Sequence, residues 1–273
     1  MKPVMKWAGG KTQLLGHITS LLPKRFNHYF EPFLGGGALF LELSPGASTV
    51  NDINPELVNV YLQIKASPEA VMAALENIDA NHEDAVDAKQ SYYAIRNLFN
   101  ENMGTATPQQ AARFIFINKH CFNGLYRVNK KGFFNVPFNN KPQGKSFVPE
   151  DIHALSERLQ TVTILGGDFE RAIATARESD FVFFDPPYAP LCPMSFTDYT
   201  KEGFGYDDNV RLANLYKELS QRGVFCMLTN HNTAFIRDLY SEFSCNVVSV
   251  ARNINAKASG RKGEEVIITS YVV

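Results

Sequence analysis

"NHYFEPFLGGGALFLELSPGASTVNDIN", residues 27–54, decides the fold class. "NHYFEPF" (27–33) reads as a strand running into the glycine turn "LGGG" (34–37). "GALFLEL" (37–43) has helical spacing, and "STVNDIN" (48–54) reads as a short strand ending at Asp52. Strand, glycine turn, helix, strand, acidic residue is the first half of a Rossmann-like unit. The glycines allow close approach of backbone to a cofactor. A carboxylate at Asp52 can accept two ribose hydroxyl hydrogen bonds. NAD would satisfy the same layout, so this stretch does not choose between cofactors.

The alternation resumes near residue 161. "TVTILGG" (161–167) is a strand, "FERAIATAR" (169–177) a helix and "DFVFFD" (180–185) a continuously apolar strand. A helix (209–222), a strand (223–230), a helix (233–240) and two strands near 245–252 and 265–272 follow. Strands of this kind are expected in a parallel sheet covered on both faces. Between the halves the pattern is helical, at 54–64, 68–77, 84–101 and 108–120. Ser67-Pro68 and Thr107-Pro108-Gln109-Gln110 carry helix-start signals. Residues 121–148 are rich in Gly, Pro and Asn and read as a long ordered loop or hairpin. A loop of that length in a compact domain is usually functional or disordered. The expected organisation is an α/β catalytic domain, 1–56 plus 148–273, interrupted by a mostly helical insertion, 57–147.

Net charge is −1, yet the charge is unevenly placed. From Asn102 to Pro149 there is no acidic residue, while Arg113, Lys119, Arg127, Lys130, Lys131, Lys141 and Lys145 lie there. Aromatics and asparagines are interleaved with them, from Phe122 and Asn123 to Phe138 and Asn139. Cations for phosphates, with amides and aromatics for bases, suit nucleic-acid recognition. A solvated basic face is the alternative. The four cysteines form no C-x-x-C pair, which argues against a zinc site and suits reduced, mostly buried thiols in cytoplasm. No metal is expected. Nothing approaches the roughly 20 apolar residues of a membrane span, and no secretory signal is evident at the N-terminus.

"MKWAGGKT" (5–12) invites a P-loop reading, but a P-loop needs glycine where Met5 stands and a strand before it. The most specific feature is "DPPY", Asp185 to Tyr188, directly after the apolar run "FVFF". In open α/β sheets, ligands bind at the carboxyl ends of the strands. Pro186 and Pro187 fix the backbone and remove two N–H donors. The Asp185 carboxylate and the Pro186 carbonyl then offer two acceptors for an –NH2 group, and Tyr188 offers a flat face for the ring of an extruded base. The alternative is a plain strand-ending Asp-Pro-Pro turn.

Taken together, these runs make the chain resemble the N6-adenine DNA methyltransferases of the Dam type, the D12 class or alpha group of amino-methyltransferases. The matching runs are "KWAGGK" (6–11), "EPFLGGGALFLEL" (31–43), "DIN" (52–54), "FNGLYRVN" (122–129), "GFFNVPF" (132–138), "DPPYAPL" (185–191), "FTDY" (196–199) and "TNHNT" (229–233). They stand in the family's order and cover nearly the whole chain. The resemblance implies an S-adenosylmethionine-dependent methyltransferase sheet with an inserted DNA target-recognition domain, acting on a flipped adenine in duplex DNA, with GATC as the expected site. Asp185, Pro186, Pro187 and Tyr188 would be the catalytic set. Trp7, Ala8, Gly10, Lys11, Phe33, Gly35, Asp52, Asp168, Phe169 and Asp185 would hold S-adenosylmethionine. Lys6, Phe122, Asn123, Leu125, Arg127 and Pro137 would contact DNA, Phe122 as a wedge and Arg127 as a reader of guanine.

Blander readings stand beside these: core packing for Trp7 and Phe122, a solvated lysine for Lys6, a phosphate clamp for Arg127. His231 is expected to be structural. The expected partners are double-stranded DNA and, in the same system rather than the same complex, a cognate restriction endonuclease. A cytoplasmic monomer is the expected form. The loops "CPMS" (192–195), 200–209 and 251–265 depart from the pattern, and contacts from them do not carry over. N4-cytosine methylation, an NAD(P)-dependent oxidoreductase and a catalytically idle DNA binder are the competing readings.

Overall fold

The computed structural model describes residues 3–7, 11–141, 144–190, 203–251 and 262–272. Ala8, Gly10, Cys192 and the runs "CPMS" and "FTDY" lie outside them, as do residues 252–261. Seven strands form one sheet: β1 (Tyr29–Glu31), β2 (Ser48–Asp52), β3 (Val162–Gly166), β4 (Phe181–Phe184), β5 (Phe225–His231), β6 (Ser244–Ala251) and β7 (Lys262–Thr269). Their order is β3-β2-β1-β4-β5-β7-β6. β1 pairs in parallel with β2 and β4, and β4 with β5. The last two strands correct the all-parallel expectation: β7 lies between β5 and β6 and is antiparallel to both. The result is a mixed α/β, mostly parallel sheet of the Rossmann-like kind.

The chain forms two compact units. One comprises residues 1–10, 34–44 and 51–168, and the other 11–33, 45–50 and 169–273. The expected boundaries at 56/57 and 147/148 divide the chain by pattern, whereas these units divide it by packing.

In the first unit, α2 (Ala38–Leu43) follows the glycine turn, and five further helices follow β2. These are α3 (Pro55–Ala66), α4 (Pro68–Glu83), α5 (Ala88–Glu101), α6 (Pro108–His120) and α7 (Pro149–Leu159). Asn54 caps α3 by accepting from the amides of Glu56 and Leu57. Thr107 caps α6 by accepting from Gln110 N. Each cap contributes about 1 kcal/mol. Ser67 precedes Pro68 without capping through its side chain. Helix α6 is the hub, with Phe114, Ile115, Phe116 and Ile117 all buried, and it packs on α3, α4 and α5. Sequence periodicity does not reveal α7, because Pro149 reads as the end of a loop. It is the first-turn proline of a helix that buries Ile152, Leu155 and Leu159.

In the second unit β4 is the central strand, and Phe181, Val182, Phe183 and Phe184 are all buried. Burying each phenylalanine contributes roughly 1.5–3 kcal/mol. Around it stand α1 (Leu15–Ser20), α8 (Phe169–Ala172), α9 (Tyr206–Gln221) and α10 (Ala234–Leu239). Helix α8 is shorter than the expected 169–177. Tyr216 of α9 donates its hydroxyl to the carbonyls of Cys226 and Ile268, tying the helix to β5 and β7.

Candidate active site

At the carboxyl end of β4 the apolar run gives way to Asp185. Its Oδ1 lies 2.7 Å from Lys11 Nζ and accepts a hydrogen bond from Thr229 Oγ1 at 2.7 Å. Lys11 stands in the short turn Lys11–Gln13 and is itself buried. Its ammonium also lies 4.5 Å from the centroid of the Tyr188 ring. Burial pushes the Asp185 carboxyl above its ordinary value, and the Lys11 charge and hydrogen bond pull it back. Thus the lysine that suggested a P-loop serves a carboxylate within its own unit.

Tyr188 is fixed at both ends. Its hydroxyl donates to Glu265 Oε2 at 2.9 Å, and its ring meets His231 edge-on at 4.9 Å. Burial, then the charges of Asp185 and Glu265, hold the phenol far above its ordinary range, so it stays neutral. Pro186 is buried and Pro187 exposed. The next residue, Ala189, donates its amide to Asn230 Oδ1 at 2.9 Å and accepts from His231 Nδ1 at 2.8 Å. His231 is therefore structural, as its setting in "TNHN" suggests. Thr229, Asn230 and His231 all come from β5, the parallel neighbour of β4.

The same unit holds an aromatic cluster. Phe33 lies 5.3 Å from Phe169 and 5.5 Å from Phe204, ring to ring, and the Arg211 guanidinium caps Phe169 at 4.4 Å. Arg211 is held by Glu170 and Asp208. Phe204 carries no sequence signal because it belongs to a polar, irregular loop, and Arg211 lies on the expected helix with nothing in the sequence to join it to Phe169.

In the first unit, Asp52 ends β2 and accepts backbone N–H bonds on both oxygens, among them Gly35 N on Oδ2 and Asn54 N on Oδ1, both at 2.9 Å. Burial raises its carboxyl above the ordinary value, and those N–H bonds work against the rise. Gly35 adopts φ +51, and its carbonyl accepts from the Tyr61 hydroxyl at 2.9 Å. A Cβ at Gly35 would fall 2.7 Å from Trp7 Cδ1. Trp7 is half-buried; it stacks on Tyr126 at 5.6 Å and meets Phe114 edge-on. Its packing role and its place beside the glycine turn therefore coexist. Asp168 is half-buried after β3.

Residues 121–138 form a hairpin with antiparallel bridges Cys121–Phe138 and Val128–Phe134. Helix α5 secures it: Tyr92 donates to Val136 O, and Asn100 exchanges two hydrogen bonds with Phe134. Phe122 is 51% exposed, so it is not a core aromatic. Its amide donates to Pro137 O. Asn123 adopts a left-handed backbone at φ 56, and both it and Pro137 are exposed, while Leu125 is half-buried. Arg127 is exposed, and its Nε donates to Asn135 Oδ1 at 2.7 Å, which orients the guanidinium. Lys6 is exposed beside this hairpin, its main chain bonded to Asn118. Burial pushes the Cys121 thiol up to about 11, leaving it neutral and un-nucleophilic at neutral pH.

Comparison with known proteins identifies the family. Residues 7–254 match the family described as D12 class N6 adenine-specific DNA methyltransferase. The chain is 43% identical to "Type II methyltransferase M1.LlaDCHI" of Lactococcus lactis subsp. cremoris, over 99% of this chain and 96% of that one. It is 40% identical to "Type II methyltransferase M.MjaIII" of Methanocaldococcus jannaschii, over 99% of each. It is also 34% identical to a "DNA adenine methylase" of Vibrio cholerae serotype O1, over 98% of this chain and 95% of that one. A match across almost the full length, with a carboxylate-bearing D-P-P-Y turn on the central strand, places this chain in the family of D12 class N6 adenine-specific DNA methyltransferases.

Proposed function

We propose that the chain moves a methyl group from S-adenosylmethionine to N6 of an adenine flipped out of duplex DNA, within GATC. The observation that carries this reading is Asp185, held rigidly at the end of β4 by Lys11 and Thr229. Within each unit the proposed residues suit a part of the cofactor. The Asp52 carboxylate is buried and backbone-bonded, and it keeps acceptor capacity for vicinal ribose hydroxyls. Phe33 and Phe169 provide apolar faces for a purine, with Asp168 beside it. Trp7, Ala8, Gly10, Lys11, Gly35 and Asp185 are the other residues proposed to hold the cofactor.

S-adenosylmethionine supplies an electrophilic methyl group. The protein's task is to make a poor nucleophile attack it, because the N6 lone pair is delocalised into the adenine ring. Asp185 and the Pro186 carbonyl accept the two N6 hydrogens, which localises the lone pair and aims it. Tyr188 supports the flipped ring, and its bond to Glu265 prevents it from turning away. The Asp185 carboxylate would stabilise the positive charge that develops on N6, and the surplus N6 proton would then be lost to solvent. Catalysis is then mainly positioning and electrostatics.

The charged form of Asp185 is the working one. Its carboxyl is raised by burial and lowered by Lys11, so kcat/KM should fall as pH drops through that raised value. Lys11→Met removes a lowering influence. The acid limb of the kcat/KM profile is therefore expected to move to higher pH, and an unmoved limb would remove Asp185 from this role.

In the hairpin, Phe122 wedges into the stack, while Asn123, Leu125, Arg127 and Pro137 face base edges and Lys6 reaches the flanking DNA. Arg127 is pre-oriented by Asn135 for a bidentate guanine contact. The Type II names of two relatives support a cognate restriction endonuclease in the same system. A cytoplasmic monomer fits this reading.

The test is transfer of labelled methyl to two duplexes that differ only in GATC or GTTC, with the product nucleoside identified. N6-methyladenine in the GATC duplex alone is expected. Label in both duplexes would sink the GATC assignment, and label in neither would sink the reaction.

A further inference from the structure

Asn118, near the end of α6, is 2% exposed and takes no part in the chemistry above. Its carboxamide is used on two backbone segments. Oδ1 accepts Lys6 N at 2.8 Å, and Nδ2 donates to Lys6 O at 2.8 Å and to Gly124 O at 3.2 Å. The first two bonds imitate a strand pairing for a single residue, and the third ties the same amide to the hairpin. The segments touch closely: a Cβ on Gly124, whose φ is +64, would lie 2.6 Å from Lys6 Cβ. Only a primary amide of this length meets one N–H and two carbonyls at once. Aspartate would press an oxygen against two carbonyls, and leucine would leave three backbone groups without this partner.

The neighbouring contacts reinforce the same joint. Met5 is buried, and Trp7 stacks on Tyr126 of the hairpin. Yet Lys6 itself is exposed, and a lysine is a mobile point charge on a flexible stem. Such a charge on a loose segment would meet any nearby phosphate and carry no sequence information. Pinned at its main chain to the hairpin, it meets the duplex at one fixed offset from Phe122, Asn123 and Arg127.

We infer that Asn118 is a specificity-determining positioning residue, which locks Lys6 in register with the base-reading hairpin. The inference rests on the proposed role of Lys6 and the hairpin in DNA recognition. Asn118 acts through Lys6, so its loss relaxes selectivity at the base pair Lys6 approaches and leaves the positions read by Asn123 and Arg127 sharp.

The experiment treats unmethylated genomic DNA with the full chain and S-adenosylmethionine and maps N6-methyladenine by sequencing. The wild-type motif is thereby measured, whatever it is. Asn118→Ala is expected to lose on the order of tenfold discrimination at one base pair of the recognised site, the one Lys6 approaches. Lys6→Ala should relax the same position, and the double variant should relax it no further. An unchanged motif in Asn118→Ala, a uniform loss at every position, or additive effects in the double variant would each overturn the inference. If Asn118→Ala does not fold, Asn118→Gln decides by the same criterion, since it keeps the amide but moves its reach by one methylene. Wild-type protein that methylates no adenine would defeat the proposed reaction itself, an outcome distinct from a sharp wild-type motif that Asn118 does not affect.

Discussion

Asp185→Ala is expected to lower single-turnover methyl transfer by on the order of 10³-fold or more, roughly 4 kcal/mol of transition-state stabilisation. The carboxylate is one of the two acceptors proposed to hold the N6 hydrogens, and it is the acceptor that carries charge. Affinity for duplex DNA should change far less, because the hairpin is untouched. The substitution also removes the carboxylate beside Lys11, a buried cation, so some loss of stability is expected. Asp185→Asn separates the two effects. It keeps the shape and an acceptor for Thr229 but removes the charge, and the rate should remain low while the fold is better preserved. The check is a rapid-quench turnover measurement alongside equilibrium dialysis and an electrophoretic binding assay. An Asp185→Ala rate within tenfold of wild type would refute the catalytic assignment.

Gly35→Val should reduce affinity for S-adenosylmethionine by on the order of 100-fold, about 2.7 kcal/mol. Two costs combine. A β-branched residue at φ +51 is strained by about 1–2 kcal/mol. Its Cβ would also meet Trp7 Cδ1 at 2.7 Å, and the indole has little room to yield because Tyr126 stacks on it and Phe114 abuts it. The glycine turn must therefore withdraw, and its amide leaves Asp52 Oδ2. A carboxylate that loses a backbone donor inside the fold costs about 1–3 kcal/mol and no longer faces the ribose hydroxyls in fixed geometry. Gly46→Ala is the matched control, since a Cβ there meets nothing within 4 Å. It should leave affinity and unfolding temperature unchanged. Calorimetric titration of both variants provides the test, and a Gly35→Val affinity equal to that of Gly46→Ala would disprove the argument.

Several parts of the molecule are legible in the amino-acid sequence alone. The turn at 34–37, α2, and Asp52 at the end of β2 follow from glycine chemistry and hydrophobic period within one short stretch. Asp185 after four apolar residues follows likewise, as do the helices α3 to α6 and the hairpin between Cys121 and Phe138. In each case the deciding signal lies within about a dozen residues of the feature it predicts.

Tertiary structure decided what depends on partners remote in sequence. Two apolar runs near the C-terminus announce strands, but alternation of side chains is the same in either direction. That β7 turns back between β5 and β6 is a matter of pairing, not period. Lys11 in "GGKT" has the local look of a phosphate ligand, and only the adjacency of its turn to the end of β4 gives it Asp185. Thr229 and Glu265 are ordinary letters until β5 and β7 bring them beside the D-P-P-Y turn. Asn118 reads as one polar residue in a buried helix, and its meaning is the pair of backbones it joins. Residue period and turn chemistry are local forces and are written locally. The identity of a buried group's partner is set by which strands and helices lie side by side, and that is determined only when the whole core has packed.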